Sequence, residues 1–283
     1  MKVPGALIHN LSQPVTDAGA RRYARVTSGM LPATRDDRPM ALVTTSWDDG
    51  HPYDLRLASL LATYQVAGTF YVPSSYSKRP LMEDSQLRDL IGMNMEIGSH
   101  TDTHPVLTKL PPHEIWRELR ESRERLEQRL GRAVPSFCYP KGKFNRAARK
   151  LIAPAGYRLA RTTVAFRTEL DFDPARMPVS CQCAPQSRAI RLRHALREGN
   201  LRGLRNWSRW FGLESEFASL ARLMFDRVLR QGGVFHLWGH SWELEEGGLW
   251  SACEDVLRYI ARRPGVAYVT NGGVMEARAE PRK

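Results

Sequence analysis

Short apolar runs alternate with amphipathic stretches along the chain from residue 41 onward. Runs of strand length, rich in β-branched residues, predict strands at 41–45, 68–72, 95–97, 136–139, 233–238 and 266–269. Between them, apolar residues recur at helical spacing over 54–66, 84–92, 111–130, 144–153 and 249–262. Strands separated by helices predict βαβ units, and therefore an α/β fold with a mainly parallel sheet.

Two segments depart from this alternation. Residues 1–40 mix Gly, Pro, Arg and Asp without periodicity and predict an irregular N-terminal lead-in. Residues 188–230 are rich in Arg, with Trp and Phe interleaved, and predict a helical insertion. We therefore expect one domain over 41–275 that carries this Arg-rich insertion.

Composition and charge restrict the partners. Hydrophobic residues make up 42% of the chain and charged residues 25%, which is enough for a sizeable core. The net charge of +12 favours anionic partners, but no nucleic-acid-binding motif is present, so we expect no nucleic acid partner. The first residues lack the apolar run of a secretory signal, which predicts a cytoplasmic protein.

Polar side chains follow the predicted strands at the positions where a parallel sheet gathers its ligands. Asp48-Asp49-Gly50 follows the first strand, and His100-Thr101-Asp102-Thr103-His104 follows the third. A catalytic zinc site commonly takes two histidines and one carboxylate and leaves one position for water. The alternative is that the acidic turn caps the next helix and the histidines are surface or capping residues.

Considered together, these segments resemble a known family. Ser46-Trp47-Asp48-Asp49-Gly50 and His100 to His104 resemble the first two motifs of the polysaccharide deacetylases, also called the NodB-homology or carbohydrate esterase 4 family. The resemblance extends from about Leu42 to Val269 and implies a distorted (β/α) barrel with about seven parallel strands. It also implies that Asp48 is the general base and that Asp49, His100 and His104 bind a divalent metal ion, for which Zn²⁺ is the expected choice.

The family's third motif corresponds to Phe137-Cys138-Tyr139-Pro140-Lys141-Gly142. By this resemblance, the backbone N–H of Lys141 stabilises the oxyanion of the reaction. Tyr139 and Pro140, together with Trp47 and Trp242, are the expected substrate-binding residues.

The third motif departs from the family at two positions. Lys141 replaces the usual aromatic residue, and Cys138 replaces an arginine that in the family pairs with an aspartate of a fourth motif. That fourth motif is not recognisable here, and Asp171 and Asp173 are the nearest acidic candidates.

Two late histidines compete for the role of general acid toward the leaving amine. His236 lies within a predicted apolar strand, whereas His240-Ser241-Trp242-Glu243 follows it and resembles a His-Pro-Trp-Glu variant of the family. We favour His240 because a residue at a strand end reaches the site more easily. A separate metal site at His236 and His240 lacks an evident third ligand.

The resemblance implies a metal-dependent hydrolase that removes the N-acetyl group from an amino sugar. The Arg-rich segment 188–230 predicts either a solvated helical face or a peripheral membrane contact, and the second reading favours a lipid-linked or nucleotide-linked sugar. An amidohydrolase or deformylase acting on another N-acyl group, or a non-catalytic carbohydrate-binding relative, would fit similar residues. The sequence leaves the sugar, its carrier and the oligomeric state open.

Overall fold

A curled parallel sheet of eight strands forms the centre of the protein in a computed structural model, which describes residues 40–76 and 78–279. The strands are β1 Ala41–Asp48, β2 Gly68–Val72, β3 Glu96–Ser99, β4 Ser136–Cys138, β5 Leu159–Arg161, β6 Cys181–Gln182, β7 Gly233–Gly239 and β8 Val266–Tyr268. Seven of them follow the order β5-β4-β3-β2-β1-β7-β6, and β8 pairs with β1. The expected distorted barrel of about seven parallel strands is confirmed.

Strand β1 is the axis of this sheet. It pairs with β7 along residues 41–47, and on its other side it pairs first with β8 and then with β2. All eight of its residues are buried, as expected for a strand that is covered on both faces. Because every pairing is parallel, the carboxyl ends of the strands lie at one end of the barrel.

Ten helices lie among the described residues. They are α1 Asp54–Thr63, α2 Asp84–Gly92, α3 Pro112–Leu130, α4 Arg146–Ile152, α5 Arg188–Arg197, α6 Leu201–Phe211, α7 Phe217–Gln231, α8 Ser241–Glu246, α9 Trp250–Ile260 and α10 Asn271–Ala279. In this described part of the chain, no helix is both long enough and apolar enough to cross a bilayer. The predicted lead-in, apart from Met40, lies outside the described residues.

The Arg-rich segment folds into three helices between β6 and β7. The first two, α5 and α6, follow one another through a short turn and form a helical hairpin. Helix α7 buries Phe217, Leu220, Met224 and Phe225 in the main core against β6 and β7. Strands β5 and β6, which precede this segment, are only three and two residues long, which explains why the sequence pattern does not reveal them.

Candidate active site

Three side chains meet just beyond the ends of β1 and β3. His104 Nε2 lies 3.3 Å, and His100 Nε2 lies 3.8 Å, from the same oxygen of Asp49, Oδ1. The candidate ligand atoms of the three residues all lie within 4.8 Å of one another. The three residues that the sequence predicted as metal ligands are therefore brought together in the structure.

The chemistry of these three residues fits a divalent cation. Asp49 Oδ1 is buried and has no hydrogen-bond partner, which is costly unless a cation is nearby. His100 Nδ1 donates to the backbone carbonyl of Cys138 at 2.8 Å, which leaves the lone pair of Nε2 directed toward Asp49. Burial and the neighbouring His100 lower the pKa of His104 to about 4, so its imidazole is neutral and able to bind a metal ion.

The histidine loop is held by a carboxylate from α3. Glu118 accepts hydrogen bonds from the backbone N–H groups of Asp102 and Thr103 at 3.0 and 2.9 Å. Within this loop, Thr101 and His104 have φ angles of 68° and 60°, in the left-handed region that β-branched residues such as threonine rarely adopt. Packing against α3 thus maintains a backbone conformation that points both imidazoles at one place.

Asp48 pairs with a buried arginine, Arg161, that the sequence pattern does not reveal. Arg161, the last residue of β5, is fully buried and donates a hydrogen bond to Asp48 Oδ1. Burial alone would raise the pKa of Asp48, but the guanidinium of Arg161, together with His100 and His240, brings that pKa below its usual value. Asp48 is therefore ionised at neutral pH and can accept a proton.

A cationic partner for Asp48 thus comes from β5, whereas Cys138, which stands where the family has an arginine, presents a thiol to the same carboxylate. The Cys138 thiol lies 3.6 Å from Asp48 Oδ2, and burial raises its pKa well above the usual range, so it stays protonated. Neither acidic candidate for a fourth motif reaches the site, and this prediction was wrong. Asp173 caps a short 3₁₀ helix and pairs with Arg149, while Asp171 is exposed.

A second cluster with metal-ligand spacing consists of Asp48, His100 and Cys138. It is the poorer candidate, because Asp48 is already neutralised by Arg161 and the Cys138 thiol is protonated. A zinc ligand must be a thiolate rather than a thiol. The set that includes Asp49 is therefore the preferred cation site.

The two late histidines occupy different environments. His240, at the end of β7, lines the cleft, and its Nε2 lies 4.0 Å from Asp49 Oδ2. Its Nδ1 lies 2.8 Å from Glu243 Oε2; although burial lowers the pKa of His240, the bond to Glu243 raises it above the usual value. His236 is buried within the sheet between Ser46 and the Pro178 carbonyl, and burial lowers its pKa to about 3.

Trp242 and Lys141 border the cation site. The Trp242 indole N–H donates to Asp49 Oδ2 at 3.0 Å. The guanidinium carbon of Arg79 lies over the same ring, 3.4 Å from its centre. This tryptophan therefore fixes the candidate ligand Asp49 as well as lining the cleft. Lys141 also lines the cleft, and its φ of 56° results from the tight turn Pro140–Gly142 that follows β4.

Three of the predicted substrate-binding residues are not cleft residues. Trp47 is fully buried in the main core, because side chains alternate along β1 and Trp47 points away from the side of Asp48. Tyr139 is buried against Phe137, and its hydroxyl donates to the carbonyl of Ala175 at 2.9 Å. Pro140 is buried within its turn. These three assignments are corrected to structural roles.

The candidate cation site opens into a cleft of about 730 Å³. Apart from Asp48 and Asp49, Glu198 is the only acidic residue that lines it within residues 40–76 and 78–279, and burial raises the pKa of Glu198 to about 7. The cationic residues that line it are Arg79, Lys141, Lys143, Arg176, Arg191 and Arg197. The cleft thus combines an acidic centre with a basic surround, which favours an anionic ligand.

A known family profile matches the part of the chain that contains the candidate metal ligands. The family profile of the polysaccharide deacetylases matches residues 35–160. YlxY of Bacillus subtilis, an uncharacterized protein, is 30% identical over 114 residues, which cover 39% of this chain and 34% of YlxY. The chain thus matches about a third of the length of this relative.

Solved structures extend the likeness to most of the chain. A Mycobacterium smegmatis protein superposes with a TM-score of 0.58 at 17% identity. The superposition covers 89% of this chain and 96% of the Mycobacterium smegmatis protein. The chitin deacetylase of the fungal pathogen Colletotrichum lindemuthianum superposes with a TM-score of 0.54 at 16% identity, covering 83% and 88%. At these identities the likeness shows a shared fold.

Proposed function

We propose that this chain, whose residues 35–160 match the family profile of the polysaccharide deacetylases, is a metal-dependent hydrolase that removes the N-acetyl group from an amino sugar. The observation that carries the proposal is the convergence of Asp49, His100 and His104 on one point beside an ionised Asp48. Two neutral imidazoles and one carboxylate are a donor set of catalytic zinc sites, so Zn²⁺ is the proposed ion.

Each residue around this point has a separate role in amide hydrolysis. When bound, the divalent ion supplies a Lewis acid that activates water and polarises the acyl carbonyl. Asp48 accepts the proton of the water that attacks the carbonyl carbon. The backbone N–H of Lys141 donates to the oxyanion, a kind of contact worth on the order of 3 kcal/mol. His240, held by Glu243, gives its proton to the nitrogen as the carbon–nitrogen bond breaks, which releases acetate and an amine.

The basic surround of the cleft supports a substrate with an anionic carrier. Six Lys and Arg side chains line it outside the acidic centre, and a phosphate-bearing sugar would complement them. We therefore propose a nucleotide-linked or lipid-diphosphate-linked N-acetylhexosamine, used at the cytoplasmic side of the cell. The +12 charge of the chain agrees with this choice.

The deciding experiment measures acetate release from UDP-linked and lipid-linked N-acetylhexosamines by Zn²⁺-loaded protein. Asp48→Asn should abolish turnover and leave the ion bound, because Asp48 is not a ligand in the preferred set. A fully active Asp48→Asn variant would refute the assignment of the base. Release of formate from an N-formyl sugar, without release of acetate, would replace the proposal by the deformylase alternative.

A metal titration separates an enzyme from a non-catalytic carbohydrate-binding relative. Asp49→Asn and His104→Ala should each weaken Zn²⁺ binding in isothermal titration calorimetry. His113→Ala serves as a matched control, since His113 is an exposed histidine at the start of α3. If the wild-type protein bound no divalent ion, the hydrolase proposal would fall.

A further inference from the structure

Exposed apolar side chains concentrate in the helical hairpin α5–α6. Of the nine large apolar residues that are exposed among the described residues, six lie between positions 190 and 213. They are Ile190, Leu192, Leu196, Leu201, Trp210 and Leu213, and Leu201 and Leu196 are the most exposed at 71% and 56%. A cluster of exposed apolar side chains on a folded domain marks a surface that contacts an apolar partner.

The same hairpin is strongly cationic. Seven arginines and one glutamate lie between residues 188 and 213. Arg202 pairs with Glu169 at 2.8 Å, but the exposed Arg193 and Arg205 have no acidic partner within the described part of the chain. Trp210 lies beside Arg209 and Arg227, whose guanidinium carbons are 5.1 and 4.3 Å from its ring. Arginines interleaved with leucines and tryptophan suit an interface of phosphate headgroups over acyl chains.

A groove between the two helices adds an apolar recess to this surface. Its volume is about 420 Å³, and it is lined by the apolar residues Ala189, Leu192, Leu204, Trp207 and Leu213 together with Ser208, Arg188 and Arg205. Apolar walls beside two guanidinium groups fit one hydrocarbon chain below an anionic headgroup. A second copy of this chain is a poorer occupant, because two such cationic surfaces repel each other.

Helix α5 connects this surface to the active-site cleft. Arg191, His194 and Ala195 line the cleft, whereas Leu192 and Leu196 on the same helix are exposed. A molecule held at the outer side of α5 is therefore one helix width from the cleft.

We propose that the α5–α6 hairpin docks the protein on an anionic lipid bilayer. In this orientation the cleft faces the membrane surface. The cleft then receives a lipid-diphosphate-linked amino sugar directly from the bilayer, a conclusion that rests on the proposed function. Leu196, Leu201 and Trp210 enter the interfacial region, and Arg193 and Arg205 contact lipid phosphates.

Co-sedimentation with vesicles tests the docking surface. The metal-loaded wild-type protein should bind vesicles of phosphatidylglycerol and phosphatidylcholine in equal proportion, and should bind pure phosphatidylcholine much more weakly. Leu196→Glu combined with Leu201→Glu should weaken binding at least about tenfold, because apolar contact is lost and negative charge is added. Replacing Arg193 and Arg205 by Gln should weaken it roughly fivefold for each arginine.

Matched controls are available elsewhere in the chain. Met40→Glu changes an exposed apolar residue that directly precedes β1, at the opposite end of the barrel, and Arg88→Gln with Arg117→Gln changes exposed arginines of α2 and α3. These control variants should bind vesicles as the wild type does. Equal vesicle binding by the hairpin and control variants, or no binding by the wild type, would overturn the proposal. A wild-type dimer that Leu196→Glu and Leu201→Glu dissociate, without any effect of vesicles, would assign the surface to a second copy instead.

The activity readout keeps docking separate from catalysis. Acetate release from a UDP-linked sugar in solution should be unchanged in the Leu196→Glu and Leu201→Glu variant, whereas release from a lipid-linked sugar in anionic vesicles should fall at least about tenfold. Equal loss on both substrates would contradict a docking role. Vesicle binding without activity on either sugar would retain the docking surface and refute the proposed function.

Discussion

Arg161 and Asp48 form a buried ion pair that joins the ends of β5 and β1, although the two residues lie 113 positions apart in the chain. The guanidinium also lies 5.3 Å from the ring of Tyr71 and 4.9 Å from that of Trp238. The candidate base is therefore paired with a cation that lies beside two aromatic rings. This cation favours the ionised carboxylate although Asp48 is buried.

Arg161→Met should remove this cation and keep most of the packing. A buried Asp48 without its partner costs about 3–5 kcal/mol of stability at neutral pH. In the wild-type protein, the pKa of Asp48 lies below its usual value in the folded state. The stability that the Asp48–Arg161 pair contributes is therefore present at neutral pH and is lost as the pH falls through that pKa. Chemical denaturation at several pH values measures the effect, and kcat/KM should fall at neutral pH because the carboxyl becomes protonated. Arg158→Met, at an exposed position, is the control.

Trp242→Phe should weaken metal binding about 10- to 100-fold, as is usual when a hydrogen bond to a metal ligand is lost. The variant keeps a ring beside Arg79 but removes the N–H that donates to Asp49 Oδ2. Titration calorimetry with Zn²⁺ measures the change. Trp250→Phe removes a comparable indole bond to Glu245 at the surface and should leave the affinity unaltered. Equal affinities of all three proteins would show that this bond does not support the metal site.

Glu243→Gln should move the basic limb of the pH profile of kcat/KM to lower pH. Glu243 raises the pKa of His240, so its neutralisation makes the imidazole release its proton at a lower pH. Since a general acid must be protonated, activity is lost first on the alkaline side. Glu245→Gln, on the same helix but paired with Arg56, should leave the profile in place. A limb that moved to higher pH would contradict the role given to His240.

Glu198→Gln should stabilise the protein above neutral pH. Burial raises the pKa of Glu198 to about 7, so the folded protein becomes less stable as the pH rises from the usual carboxyl range to about 7. The neutral amide avoids this loss and can still accept the hydrogen bond from Thr163. The gain at pH 8 should be on the order of 1–2 kcal/mol, because Glu198 is partly exposed, and should vanish near pH 4. Thermal unfolding of both proteins at the two pH values, with Glu276→Gln as a surface control, tests it.

The sequence alone predicts the site residues that follow recognisable strands. Asp49, His100 and His240 each follow a strand that its apolar run reveals, and parallel strands bring their carboxyl ends together. Arg161 was missed because β5 has three residues and no detectable periodicity. An arginine in such a segment is expected in solvent, and its partner lies on a distant strand.

The error at Trp47 was avoidable. Neighbouring residues of a strand point to opposite sides, so a tryptophan directly before the base cannot share its side of the sheet. The same alternation did not apply to Trp242, which follows the end of β7 and lies in the first turn of α8. Side-chain direction can thus be predicted within strands, while positions in the loops require the folded structure.

The pairing of β1 with β7 determines when the candidate centre can form during biosynthesis. Asp48 and Asp49 leave the ribosome early, but Gly239 aligns with Trp47 only after almost two hundred further residues have been added. Contacts between such distant parts of a chain form slowly. A nascent polypeptide ending before β7 would contain the two acids and both imidazoles without the strand that precedes His240, so the candidate general acid joins them only after β7 has been made.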